Sequence, residues 1–127
     1  MHNRVPHVLI VEDDPLVAAD YEAMVLDECF VPCGPASDSR QALAMLDSRR
    51  PDVALIDLHL ADGRTGPWIA RQLASKGVKL IVVSDDREST MDLADLEFTF
   101  AQKPVSTALL REMLTAAGKR TGGRRRH

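Results

Sequence analysis

Short apolar runs alternate along this chain with longer stretches in which apolar residues return every three or four positions. His7–Val11 is a run of β-branched and aliphatic residues that reads as a strand. Asp14 followed by Pro15 then predicts an N-cap with proline in the first helical turn, and Val17, Tyr21, Met24 and Val25 continue at helical spacing. Residues 30–33 form a second, weaker strand. Pro32 lies inside it, and a proline donates nothing to a ladder, so this strand belongs at a sheet edge.

Gly34-Pro35 reads as a chain break before a helix capped by Asp38 and carrying Ala42, Leu43 and Leu46. Pro51 ends that helix, and residues 53–56 form the third strand. Ala61-Asp62-Gly63 and Gly66-Pro67 mark a loop, after which Ile69, Ala70 and Leu73 carry a helix closed by Gly77. Residues 79–83 are the most apolar strand. The acidic stretch 88–96 supports at most two turns of helix, and residues 98–101 form a fifth strand. Ser106 caps a last helix, with Leu109, Leu110, Met113, Leu114 and Ala117 expected on one face.

Five strand-helix repeats in about 115 residues predict an α/β domain built on one doubly wound parallel sheet. Continuous apolar runs suit strands buried on both faces. An edge position for the second strand suits the order 2-1-3-4-5. The expected division is a folded domain over residues 1–117 and a basic, disordered tail over 118–127.

Charge sharpens that division. All 19 acidic residues fall within residues 1–117 with 11 of the 16 Lys and Arg, so the body carries −8. The last ten residues carry +5 and no acid: Lys119, Arg120, Arg124, Arg125 and Arg126. A short basic run alone is weak grounds for nucleic-acid binding. No apolar stretch is long enough to span a bilayer, and the start lacks a secretory pattern, which points to the cytoplasm. Cys29 and Cys33, without paired histidines, read as small apolar fillers.

The chemistry sits where strands stop. Glu12 and Asp13 close the first run, Asp57 the third, Ser84 the fourth, and Lys103-Pro104 follows the fifth. In the order 2-1-3-4-5 the first and third strands are neighbours, so Glu12, Asp13 and Asp57 should converge at the carboxyl end of the sheet. Carboxylates so close repel one another, and Mg2+, a hard cation that keeps several waters, is the natural counter-ion. The backbone carbonyl of His59 offers a further ligand. Asp57, alone on the central strand, is the candidate nucleophile toward phosphorus. Ser84 offers a hydroxyl to a phosphoryl oxygen, and Lys103 a mobile ammonium.

Four stretches, Val8-Leu-Ile-Val-Glu-Asp-Asp14, Asp52-Val-Ala-Leu-Ile-Asp57, Ile81-Val-Val-Ser84 and Lys103-Pro104, run in the order seen in receiver domains of bacterial two-component response regulators. Over roughly residues 7–117 the chain resembles that family and its flavodoxin-like receiver fold. The resemblance implies Glu12 and Asp13 as metal-binding acids, Asp57 as the phosphorylated residue, and Ser84 and Lys103 as phosphate contacts. It also implies Phe100 as an aromatic switch, a cis Lys103-Pro104 bond, dependence on Mg2+, and a sensor histidine kinase as phosphoryl donor. A downstream protein or a phosphotransfer protein would receive the signal. Such a domain is a phosphoacceptor in signalling and not an enzyme with a substrate of its own.

Two features depart from the family pattern. Asp85 and Asp86 follow Ser84, where a small residue is usual, and the short segment up to Lys103 truncates the fourth helix, as in an atypical branch of small receivers. The first departure keeps open a pseudo-receiver that binds a partner without being phosphorylated. A third reading, a Mg2+-dependent aspartyl phosphohydrolase, would want an acid two residues after the nucleophile. His59 stands there instead.

Overall fold

The computed structural model describes residues 5–60, 63 and 65–123. Five strands, β1 (His7–Val11), β2 (Val31–Ala36), β3 (Val53–Asp57), β4 (Lys79–Ser84) and β5 (Thr99–Gln102), form one sheet. Its order is β2-β1-β3-β4-β5 and every pairing is parallel. The helices are α1 (Pro15–Asp27), α2 (Ser39–Ser48), α3 (Gly66–Ser75) and α4 (Thr107–Gly123), with a 3-10 segment, Arg87–Leu93, between β4 and β5. The expected doubly wound sheet and strand order are present, with β2 at the edge.

Alternation along the strands divides the core into two layers. Val8, Ile10, Val53, Leu55, Ile81, Val83 and Ala101 pack with Tyr21 and Val25 of α1 and Leu110 and Leu114 of α4. Leu9, Val11, Ala54, Ile56, Leu80 and Val82 face the other way, toward Leu46 of α2, Ile69 and Leu73 of α3, and Leu93 of the 3-10 segment. The inner strands β1, β3 and β4 are buried almost throughout, as helices on both faces demand. Each fully buried aliphatic side chain contributes about 1.5–3 kcal/mol by leaving water.

The helix starts follow the capping chemistry. The Asp14 carboxylate accepts from the Leu16 and Val17 amides at 2.9 and 3.5 Å, and Asp38 accepts from Gln41 at 2.9 Å. Ser106 Oγ accepts from the Leu109 amide at 3.0 Å. After α1, Cys29 takes a left-handed φ of 64°, the conformation in which glycine usually ends a helix.

Three expectations are revised. β2 does not stop at Gly34-Pro35. Gly34 adopts φ 93°, the peptide before Pro35 is cis, and the strand rejoins β1 at Ala36 after a register shift between Leu9 and Val11. Leu109 is 44 % exposed and lies off the buried face of α4. Positions 110, 113, 114 and 117 already make a complete helical stripe, and residue 109 sits about 100° away from Leu110. Finally, α4 runs on to Gly123, six residues into the stretch expected as tail. Residues 124–127 lie outside the described residues, as do Ala61 and Asp62 of the expected loop.

The stretch between β4 and β5 is as short as its sparse apolar pattern implies. Only Thr90 and Leu93 of the 3-10 segment are buried, and Asp86 caps it by accepting from the Ser89 amide and hydroxyl, each at 2.8 Å. Arg71 of α3 holds its far end, donating to both carboxylate oxygens of Asp95 at 2.8 and 2.9 Å and to the Asp92 carbonyl at 2.5 Å. Among the described residues no helix is long and apolar enough to cross a membrane.

Gly66 lets α3 start hard against the loop leaving β3. A Cβ there would stand 2.6 Å from Leu58 Cα and 2.7 Å from Leu58 C, backbone atoms that cannot swing aside. Gly66→Ala is therefore expected to lower stability by about 1–3 kcal/mol, the usual cost of overpacking. Urea unfolding followed by circular dichroism checks this; an unchanged midpoint would mean that the loop moves freely.

Candidate functional site

The alternation that builds the core also delivers the chemistry. Glu12, Asp57 and Lys103 continue the rows Val8-Ile10, Val53-Leu55 and Ala101, the face packed by α1 and α4. The β1–β3 register pairs Val11 with Ile56, so the next residues, Glu12 and Asp57, come out level at the carboxyl ends. Ser84 ends β4 in the row of Leu80 and Val82, beside Gln102 of β5. The Lys103 amide donates to the Ser84 carbonyl at 2.8 Å, carrying the pairing one residue past the strand.

Asp57 is 3 % exposed. Its Oδ1 accepts from the His59 amide at 2.8 Å, and its Oδ2 accepts from Lys103 Nζ at 2.5 Å. Burial works against the Lys103 ammonium. The hydrogen bond and charge of Asp57, with Glu12 and Tyr21 further off, outweigh it and hold the lysine above its usual range.

Glu12 is equally buried and less well served. Oε2 accepts from the Asp14 amide at 3.0 Å, while Oε1 is buried without a hydrogen-bond partner. Burial first, and then the neighbouring Asp57, push its pKa up to about 7, against the lowering effect of the Asp14 amide. Among the described residues, Ser84 Oγ is the other buried side-chain atom without a partner, on a residue with no exposure at all. Two orphaned polar atoms therefore belong to strand-end residues expected at the site. Buried groups of this kind usually find a partner, and an ion or ligand from outside the chain would supply one here.

Not every expected residue is drawn in. Asp13 is exposed, and among the described residues no three His, Cys, Asp or Glu side chains are gathered closely enough to cage a metal. That arrangement still fits Mg2+, which takes one or two carboxylates, keeps waters, and is rarely enclosed by protein alone. The unpartnered Oε1 of Glu12, next to the Asp57 carboxylate, is the observation that favours a cation there. The His59 side chain is exposed, and its observed contribution is the amide that fixes Asp57. Asp85 is exposed too, and its carbonyl accepts from Gln102 Nε2 at 3.0 Å.

Phe100 is half-buried on the edge strand β5, and the Arg87 guanidinium lies over its ring at 4.7 Å from the centroid. The peptide before Pro104 is cis. Tyr21 is a residue the sequence reading placed only in the core. Burial, and then the charge of Glu12, raise its phenol to about 12, and Lys103 and Asp57 also act on it. Helical spacing showed that it faces inward. It gave no sign that its polar end approaches the strand ends.

Residues 8–115 match the family model of the response regulator receiver domain. The transcriptional regulatory protein PdtaR of Mycobacterium tuberculosis is 33% identical over 76 residues, covering 60% of this chain and 37% of that protein. The phyllosphere-induced regulator PhyR of Methylorubrum extorquens is 40% identical over 60 residues, covering 46% of this chain and 22% of the relative. The chain thus spans well under half the length of either regulator. The solution structure of the receiver domain of Erythrobacter litoralis PhyR superposes with a TM-score of 0.80 at 25% identity, covering 89% of each chain.

The raised pKa of Glu12 gives a signed prediction. A carboxyl that titrates near 7 when folded and near 4.5 when free contributes stability that is complete below pH 4.5 and is lost as pH rises through 7. Glu12→Gln cannot ionise. It should match the natural protein at pH 4.5 and exceed its stability by about 1–3 kcal/mol at pH 8. Thermal melts across that range check it; parallel curves would mean that Glu12 ionises freely.

Proposed function

This chain belongs to the response regulator receiver family, and on that footing we propose that Asp57 accepts a phosphoryl group from the phosphohistidine of a sensor histidine kinase. The observation that carries this reading is the buried Asp57 carboxylate, held by Lys103 on one oxygen and the His59 amide on the other, with Glu12 beside it. A carboxylate oxygen attacks phosphorus, the P–N bond to the donor imidazole breaks, and the imidazole leaves with the electron pair. The product is an aspartyl phosphate, an acid anhydride that water later hydrolyses.

Glu12, Asp57 and the adjacent Asp13, with the His59 carbonyl, are the groups that would hold Mg2+. The ion, when bound, offsets the repulsion between the carboxylates and the incoming phosphoryl oxygens. The chain's own residues do the rest. Lys103 exchanges its carboxylate partner for a phosphoryl oxygen, keeping its charge opposite the new anion. The Ser84 hydroxyl, buried without a partner, donates to a second phosphoryl oxygen.

That last hydrogen bond requires the loop after Ser84 to adjust. The loop is tied to β5 at two further points, Asp85 to Gln102 and Arg87 to Phe100. Interactions available only to the phosphorylated state thereby shift the population of loop and edge-strand conformations. The altered surface of β5 and the neighbouring 3-10 segment and α4 is then read by a downstream protein, or the phosphoryl group is passed on in a relay. Asp85 is exposed to solvent, where its charge is screened, and this supports phosphorylation over a purely partner-binding role. This account suits a protein of the cytoplasm, where sensor kinases present their phosphohistidine.

Incubation with Mg2+ and a small acyl-phosphate donor should add the mass of one phosphoryl group to the intact protein, and Asp57→Asn should abolish the gain. Turnover of donor without accumulation would instead indicate a phosphohydrolase. Silence toward both donor and phosphorylated kinase would indicate a module that only binds partners. Ser84→Ala should slow the reaction roughly ten- to hundredfold, the equivalent of losing a hydrogen bond to a charged group. An undiminished rate in that variant would remove Ser84 from the mechanism.

A further inference from the structure

Ser84 and Asp57 stand on neighbouring strands but belong to different faces. The β3–β4 register sets Asp57 level with Val83, so Ser84 lies one residue further along, in the row of Leu80 and Val82. Asp57 continues the opposite row, with Val53 and Leu55. For the Ser84 hydroxyl to reach a phosphoryl group on Asp57, the exit of β4 must rotate, and whatever holds that exit opposes the rotation. The β4–β5 register puts Phe100 opposite Val82 and Gln102 opposite Ser84, so Phe100 shares the face of Ser84.

Among the described residues, three ties hold this exit to β5. The Ser84 and Asp85 carbonyls accept from the Lys103 amide and from Gln102 Nε2, at 2.8 and 3.0 Å. Arg87 is exposed, yet its guanidinium carbon lies 4.7 Å from the Phe100 ring centroid, close enough for a cation–aromatic attraction. The turn that carries Arg87 is braced from within. The Asp86 carboxylate accepts from the amide and hydroxyl of Ser89, each at 2.8 Å, and the Thr90 hydroxyl donates to the Arg87 carbonyl at 2.6 Å. A braced turn shifts as one body. Rotation of the β4 exit that brings Ser84 over therefore draws Arg87 off the ring.

We infer that Arg87 is a positioning residue that holds Ser84 back: its contact with Phe100 favours the unphosphorylated arrangement of the loop and slows phosphoryl uptake. The inference rests on Asp57 accepting the phosphoryl group. Linkage makes the effect reciprocal, so a phosphoryl group that draws Ser84 over weakens the contact of Arg87 with Phe100 by the same factor. A cation over a ring at an exposed site biases an equilibrium roughly two- to fivefold, which sets the scale. A guanidinium that merely covered an exposed ring would act on folding stability and leave the rate of uptake untouched.

Arg87→Met keeps most of the stem and removes the charge. With Mg2+ and acetyl phosphate as donor, intact mass should show it phosphorylated roughly two- to fivefold faster than the natural chain, with circular dichroism unchanged. Arg87→Lys, which still offers a cation to the ring, should restore most of the natural rate. Phe100→Leu should accelerate uptake by a similar factor, and Arg87→Met added to it should contribute nothing more. In a Ser84→Ala background Arg87→Met should leave the rate unchanged, because no hydroxyl then has to be brought over. A natural chain that gains no mass would remove Asp57 as acceptor, and the role of Arg87 with it. A natural chain that gains mass while Arg87→Met gains it no faster would overturn the role of Arg87 alone. Acceleration that persists without the Ser84 hydroxyl would overturn it too, since Arg87 would then act by another route.

Discussion

The contact between Lys103 and Asp57 is the interaction on which the rest of this molecule depends. A carboxylate buried to 3 % exposure at the end of an apolar strand costs several kcal/mol unless it is paired, and the pairing must be close. Lys103 supplies it at 2.5 Å from the far side of β4, and the His59 amide secures the other oxygen. One ammonium does not neutralise two acids. Glu12 stands beside Asp57 with an oxygen unpartnered, and burial, with the charge of Asp57 adding to it, raises its pKa to about 7. A proton on Glu12, or the cation proposed above, would relieve that crowding.

Its placement follows from the sheet. Parallel strands send their carboxyl ends to one side, and period-two alternation sends every second residue to one face. Glu12, Asp57 and Lys103 are the next members of rows that have already buried Val8, Ile10, Val53, Leu55 and Ala101. The apolar rows fix the register, since a slip of one residue would turn each row to the other face. The polar residues inherit that precision. β2 is excluded from the site by its edge position, and its prolines suit a strand whose outer side pairs with nothing.

Most of this was legible before the structure, because it rests on signals that physics makes strong. Long apolar runs, a proline behind a capping aspartate, and lone acids behind buried strands each have few explanations. What escaped reading depended on three-dimensional detail. Asp13 and Glu12 are neighbours in sequence, yet one is exposed and the other buried, and no periodicity in a loop separates them. Gly34-Pro35 carries the marks of a break, but the strand resumes because a bulge restores its pairing with β1. Leu109 matched a helical stripe by composition and fell outside it by angle. Tyr21 was placed correctly in the core, while the influence of Glu12 on its phenol depends on how α1 lies across the sheet.

The segment between β4 and β5 shows how a local deficit shapes the whole. With so few apolar residues it cannot support a packed helix, and it is held largely by polar ties instead. Arg71 anchors its end to α3. At its start the Ser84 carbonyl takes the Lys103 amide, the Asp85 carbonyl takes the Gln102 side chain, and Arg87 lies over Phe100. The last three link the exit of β4 to β5 and to no other strand. Hydrogen bonds and a cation–aromatic contact near solvent rearrange at far lower cost than buried side chains do. A displacement that begins at Ser84 will therefore travel outward to the edge strand more easily than inward through the core. Under the proposed phosphorylation, the outer edge of β5 and the adjoining surface of α4 are where such a displacement would emerge.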